Sequence, residues 1–213
     1  MKSEQKYIIF TMVGLILFFM VSGYVYKNYE TSEITSKVKE NNLLLERPYS
    51  WSTGNKDAKV HLVEFFDPAC ETCAQFEPLV AKIMDDNKGD IRLTLRYAPY
   101  HNGSDYVVKM LEAARKQGKF KETLKMMFET QRYWASHGQP NLQALWQFLP
   151  KLGIDIDRLI IDMKDPELDK IIAQDLADAK VVGADKTPSY FVNGKPLQRF
   201  GYEHLKELIY SEL

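Results

Sequence analysis

Residues 59–77 read KVHLVEFFDPACETCAQFE. Lys59 to Phe66 is β-branched and aromatic with a nearly continuous apolar run, the composition of a central strand buried on both faces. Asp67-Pro68 breaks it. From Cys70 a helical pattern runs to about Asn87, with Phe76, Leu79, Val80 and Ile83 on one face. Ile91 to Ala98 (IRLTLRYA) reads as a second strand, stopped by Pro99. Strand, helix and strand in that order predict a parallel pair joined by a right-handed crossover.

Cys70 and Cys73 are the chain's two cysteines. A scaffold stapled by disulfides carries more of them, spread along the chain. A structural zinc site wants four ligands, and His61, His101, His137 and His204 show no His-x(3–5)-His spacing. No metal or cofactor is therefore expected. On the first turn of a helix, residues three apart have Cα atoms ~5–6 Å apart, inside the disulfide range of about 4.4–6.8 Å. The ring can close and open with little backbone movement. Cys70 falls where the strand ends and the helix begins, so its sulfur faces unsatisfied N–H groups and the positive end of the helix dipole. A thiolate there is stabilised, and the thiolate is the attacking species. Cys73, one turn in, is expected to be more buried and to resolve the mixed disulfide on Cys70. The alternative is a pair of buried core cysteines with no role. The spacing and the strand–helix junction argue against it.

The stretch from Ser104 to about Val182 reads as helical throughout. Ser104 can cap a helix ended near Gly118, and Phe120, Leu124, Met127 and Phe128 mark a second. Asn141 can cap a third, Asp155 starts a short fourth, and Asp165-Pro166 is a strong start for a fifth. Strands then return. Tyr190-Phe191-Val192 and Pro196 to Phe200 flank Asn193-Gly194, a strong hairpin signal, with Pro196 keeping the last strand at an edge. A final amphipathic helix starts at about Tyr202.

At the other end, Tyr7 to Tyr26 is uncharged between Lys6 and Lys27. As a helix its 20 residues would span ~30 Å, about one hydrocarbon core. A membrane anchor and a cleaved signal peptide compete for this segment, 1–26. The short basic start, Lys2 and Lys6, fits either. The run is longer than a usual signal core and lacks Ala-x-Ala, which favours the anchor. Residues 27–45 are polar and charge-balanced and read as a stalk. A net charge of -1 without a long basic run gives a nucleic-acid partner no electrostatic support.

Two segments resemble the DsbA-like branch of the thioredoxin superfamily. Val63 to Glu77, around Cys70-Glu71-Thr72-Cys73, is similar to that family's active-site segment. Lys186 to Gly194, with Thr187-Pro188 before the hairpin, is similar to the segment that faces the dithiol. The resemblance implies an α/β thioredoxin-like fold over 46–213 with an inserted helical domain at about 104–182, preceded by an N-terminal transmembrane helix. It implies a cis Pro188, backbone hydrogen bonds from Thr187 to an extended substrate, and Glu64 as a buried acid assisting proton transfer. Glu64 also interrupts an apolar run, which suits burial.

The departure lies between the cysteines. Strongly oxidising members carry Pro-His where this chain has Glu71-Thr72. An ionised Glu71 opposes a Cys70 thiolate, so a milder oxidant is expected. The function this implies is thiol:disulfide exchange with extracytoplasmic proteins, reset by a membrane or periplasmic redox partner, in a single-pass inner-membrane protein. The competing class is a binding module: a thiol-based metal chaperone or a redox-inactive adaptor using the same groove. His101 could approach the dithiol, although a solvated loop histidine is the simpler reading.

Overall fold

A computed structural model describes residues 3–135 and 140–213. Lys2 and His137 lie outside them. The chain opens with α1 (Ser3–Glu40) and continues through β1 (Trp51–Gly54), β2 (Val60–Phe66), α2 (Glu71–Asp86) and β3 (Ile91–Tyr97). Next come α3 (Ser104–Lys116), α4 (Phe120–Glu129), α5 (Gln131–Trp134), α6 (Ile156–Asp162) and α7 (Glu167–Val181). β4 (Ser189–Val192), β5 (Lys195–Pro196) and α8 (Tyr202–Tyr210) close the chain. The sheet order is β1-β3-β2-β4-β5. β2 and β3 are parallel, as the crossover requires, while β4 lies antiparallel on the other side of β2. This is a thioredoxin-like mixed sheet, with α3–α7 inserted between β3 and β4.

β2 is central and all but His61 of its residues are buried, which is why its sequence is an apolar run rather than an alternation. The hairpin forms as expected: Asn193 and Gly194 have φ 47 and 81, the paired left-handed turn that Asn-Gly favours. The strand expected over Pro196–Phe200 is corrected to Lys195–Pro196. Proline has no N–H for the ladder; Leu197 makes one more bond, to Tyr190 O, and the chain then bends to set Phe200 on Phe76 at 4.9 Å.

Three further expectations change. Gly103, not Ser104, takes the cap position of α3, because the Ser104 hydroxyl is spent on Asp67. Asn141 makes no side-chain cap, and the helix expected there is two tight 3-10 turns, Leu142–Gln147 and Leu149–Leu152, with Pro150 denying a regular helix its N–H. Strand β1 went unread. Its sequence, Trp-Ser-Thr-Gly, has no apolar alternation, and it is held by non-local contacts instead: pairing with β3 and the stacking of Trp51 on Phe120 at 4.6 Å.

Helix α1 is continuous to Glu40, about 57 Å long at 1.5 Å per residue. Ile9–Glu40 is long and apolar enough, by length and composition, to cross a membrane. The segment read as a stalk does more than extend the chain. Val38, Leu44 and Leu45 are buried in a cluster with Phe65, Phe191, Ala179 and Val182, and Ile34 packs against it. Beneath that cluster Arg96, fully buried in β3, donates to Asp175 at 2.7 Å, to Asp178 at 2.6 Å and to Leu44 O at 2.9 Å. Arg47 pairs with Asp178 at 2.6 Å. A charge is tolerated in this core because each hydrogen-bonding group has a partner, and the network ties β3, α7 and residues 43–47 together.

Candidate active site

The dithiol is built from the end of β2. Burial of Phe65 and Phe66 fixes the strand, and Asp67-Pro68 turns the chain into α2. The Asp67 carboxylate organises that turn. Oδ1 accepts from the Ala69 N–H at 2.8 Å and from the Ser104 hydroxyl; Oδ2 accepts from the His101 N–H at 2.8 Å and lies 2.7 Å from His101 Nδ1. Asp67 is fully buried, so these bonds replace its water. His101 is thus a tethered loop residue: its side chain is half-exposed and its ring is spent on Asp67.

Cys70 is the N-cap of α2, with extended φ and ψ, and its Sγ accepts from the Cys73 N–H at 3.4 Å. Both cysteines are free thiols, and both are buried, Cys73 completely. The Cys70 thiol is pulled down to about 6, chiefly by the Cys73 thiol, against desolvation, with Thr187 and the backbone N–H groups of Cys73 and Thr72 adding to it. The Cys70 thiol donates to the Thr187 carbonyl at 3.2 Å. The Thr187–Pro188 bond is cis, and Pro188 is buried. Burial pushes Cys73 far the other way, helped by its hydrogen bond to Cys70 and the nearby Glu64 charge.

Glu64 is buried in β2, directly opposite Tyr190 of β4. Burial pushes its carboxyl up to about 8, with the charges of Cys70 and Glu77 adding to the rise and Tyr190 opposing it. The Tyr190 hydroxyl is buried without a partner of hydrogen-bond geometry. The fold therefore gathers Cys70, Cys73, Glu64, Thr187 and Pro188 into one site. Thr72 sits at its mouth, half-buried, while Glu71 is exposed. Glu71 is not among the largest influences on the Cys70 thiol.

Two contributors were missed in the sequence. Asp67 carried a signal, since an Asp side chain that bonds the backbone two residues on is a recognised turn device. Gln131 carried none. From α5, 61 residues along, its amide donates to Pro68 O at 2.7 Å and Cys70 O at 3.0 Å. Gln131→Leu leaves the buried side of Pro68 O without its donor, while Cys70 O keeps the Ala74 N–H at 3.2 Å. Loss of about 1–3 kcal/mol is expected in urea unfolding, and unchanged stability would count against the brace.

A cis-proline facing a Cys-x-x-Cys pair at a helix N-terminus, on this sheet, defines a thioredoxin-type dithiol protein. The family model described as Thioredoxin matches residues 46–211, and the chain belongs to that family. It is similar in structure to a thioredoxin-like oxidoreductase from Silicibacter pomeroyi DSS-3, at 28% identity and TM-score 0.69, covering 80% of this chain and 96% of that one. Over all of its length it is 26% identical to a probable disulfide bond formation protein D of Bacillus anthracis, covering 99% of that protein. Over an alignment of 149 positions that covers 68% of the chain, it is 32% identical to part of the Na(+)/H(+) antiporter NhaA of Herminiimonas arsenicoxydans. The chain spans about a fifth of the length of the antiporters it matches.

Proposed function

We propose that this chain is a protein thiol:disulfide oxidoreductase that exchanges disulfides with extracytoplasmic proteins through Cys70 and Cys73. The observation that carries the reading is the asymmetry of the pair: Cys70 is lowered to about 6 and Cys73 raised far above the ordinary thiol range. At pH 7 Cys70 is then mostly thiolate, the species that attacks.

In the reducing direction the Cys70 thiolate attacks one sulfur of a substrate disulfide and the other leaves as a thiolate. Cys73 then loses its proton and attacks Cys70, releasing the second substrate thiol and leaving a Cys70–Cys73 disulfide. The oxidising direction is the reverse. Glu64, in its ionised form, takes the Cys73 proton within the buried site. Thr187 offers its backbone to an extended substrate segment, and Pro188 shapes the surface against which that segment lies.

In this reading residues 1–26 anchor the protein, 27–45 are the stem, and 46–213 form the catalytic domain, with the helical insertion at about 104–182. The apolar helix, and the persistence of substrate disulfides in oxidising compartments, support a single-pass inner-membrane protein facing outward. A membrane or periplasmic redox partner resets the pair.

Glu71-Thr72 supports a milder oxidant than Pro-His members. Titration of the full chain against glutathione tests both claims. A reversible two-electron transition, less oxidising than Pro-His proteins, is expected. An equally oxidising pair refutes the mildness, and no transition, with tight Cu(I) binding instead, refutes the enzyme.

A further inference from the structure

Beside the dithiol runs a groove of about 550 Å³. Thr72, Thr187 and Pro188 line it, and the Thr187 carbonyl accepts from the Cys70 thiol at 3.2 Å, so the groove runs past the residues that touch the outer sulfur. Its other wall is unexpected: Lys27, Glu30, Thr31 and Ile34, all on α1. These residues follow directly on the uncharged run that ends at Tyr26.

The seat of α1 is built into the fold. Thr31, Ile34 and Thr35 are half-buried and Val38 is buried, a stripe at helical spacing on the face toward the domain. The domain makes room with glycine: a Cβ on Gly194 would meet Val38 at 3.2 Å, and one on Gly183 would meet Ile34 at 3.4 Å. Lys27 and Glu30 remain exposed on one rim, and Asp185 and Lys186 on the other. The rim charges balance in sign. Between the rims an apolar strip of Ile34, Leu197 and Phe200 alternates with polar side chains, Thr72, Ser189 and Gln198 among them.

We propose that Lys27–Ile34 of α1 is a specificity-determining wall of the peptide groove, whose occupant is an extended polypeptide with an apolar residue beside its reacting cysteine. The inference rests on the thiol-exchange reading above. Its consequence is geometric. Lys27 to Ile34 covers only about 10 Å of helix axis. If the apolar run lies in a membrane, the groove opens next to that surface, and the segments it takes are those held there, such as the outer loops of membrane proteins.

The test uses the full chain in lipid nanodiscs and an apolar peptide containing one Cys–Cys pair, together with a copy in which both cysteines are serine. Thr31 points at the groove and its hydroxyl is already spent on Lys27 O at 2.9 Å. Thr31→Trp narrows the groove; Thr31→Val keeps its width. Binding of the serine peptide, followed by calorimetry, is expected to weaken at least tenfold in Thr31→Trp and to stay within twofold of wild type in Thr31→Val. Exchange with dithiothreitol, too small to need the groove, is expected to be unchanged in both. Equal peptide binding by wild type and Thr31→Trp, or no binding by wild type, overturns the wall. So does a Thr31→Val loss as large as that of Thr31→Trp. A wild-type chain that binds the peptide but exchanges no disulfide with dithiothreitol overturns the thiol-exchange reading and leaves the wall standing.

Discussion

In a Cys73→Ser chain, mixed disulfides on Cys70 are expected to accumulate, and in a Cys70→Ser chain none. The two sulfurs are three residues apart, yet their surroundings separate them. Cys70 caps a helix, receives the Cys73 N–H, and is lowered to about 6. Cys73 is fully buried, and burial is the first cause of its raised value. Removing Cys70 leaves a thiol that is neither ionised nor exposed, so loss of peptide disulfide exchange on the order of a thousandfold or more is expected. Removing Cys73 leaves the attack intact and removes the release. The adducts are read on non-reducing gels and identified by mass spectrometry. Comparable residual exchange in the two variants would show that the sulfurs share the attack, against the assignment.

The same electrostatics bear on how strongly the pair oxidises. A thiolate stabilised in the reduced form makes the disulfide form the better oxidant. In this chain the stabilisation comes from Cys73, Thr187 and backbone N–H groups, which other residues between the cysteines would leave in place. Glu71 is exposed, so solvent screens its repulsion. The milder potential proposed for Glu71-Thr72 would therefore rest more on the absence of a cation or strong donor between the cysteines than on the carboxylate itself.

What could be read in advance follows a physical division. The β2–α2–β3 unit and the Asn193-Gly194 turn are local: period, breakers and spacing are set by near neighbours, and both appear where they were read, with the second hairpin strand shortened to Lys195–Pro196. What escaped depends on partners far along the chain. Trp51 becomes a strand residue because β3 and Phe120 wait for it. Gln131 braces Cys70 from another subdomain, and its own surroundings give no hint of it. The polar look of residues 27–45 hid a contact face, because two apolar residues on α1, Ile34 and Val38, suffice when the domain presents glycines to receive them. Glu64 stands between the two cases: its place in an apolar run predicted burial, but the tyrosine opposite it comes from a strand 126 positions on.

Glu64→Gln is expected to abolish a pH dependence that the wild-type chain shows in both stability and catalysis. The carboxyl is raised from 4.5 to about 8, chiefly by burial. Such a group binds its proton more tightly folded than unfolded. Its contribution is fully present below 4.5 and is lost as pH rises through about 8. A displacement from 4.5 to about 8 corresponds to roughly 5 kcal/mol, an upper figure, because a buried site relaxes around the charge. Cys70, lowered from 9.0 to about 6, acts in the opposite sense, adding stability as pH rises between those values. Comparing wild type with Glu64→Gln in the reduced form cancels that contribution, since both chains carry Cys70. Urea unfolding is expected to give near-equal stability at pH 4.5, with the variant ahead by several kcal/mol at pH 9. Catalysis follows from the same proton. Cys73 must ionise to resolve the mixed disulfide, and the fraction of ionised Glu64 available to accept its proton grows through its midpoint at about pH 8. Wild-type resolution is expected to accelerate through that midpoint, and the amide variant to be about a hundredfold slower without the inflection. Parallel rate–pH curves in the two chains would remove Glu64 from the proton's path. A stability difference surviving alone would leave it a buried acid tolerated for packing.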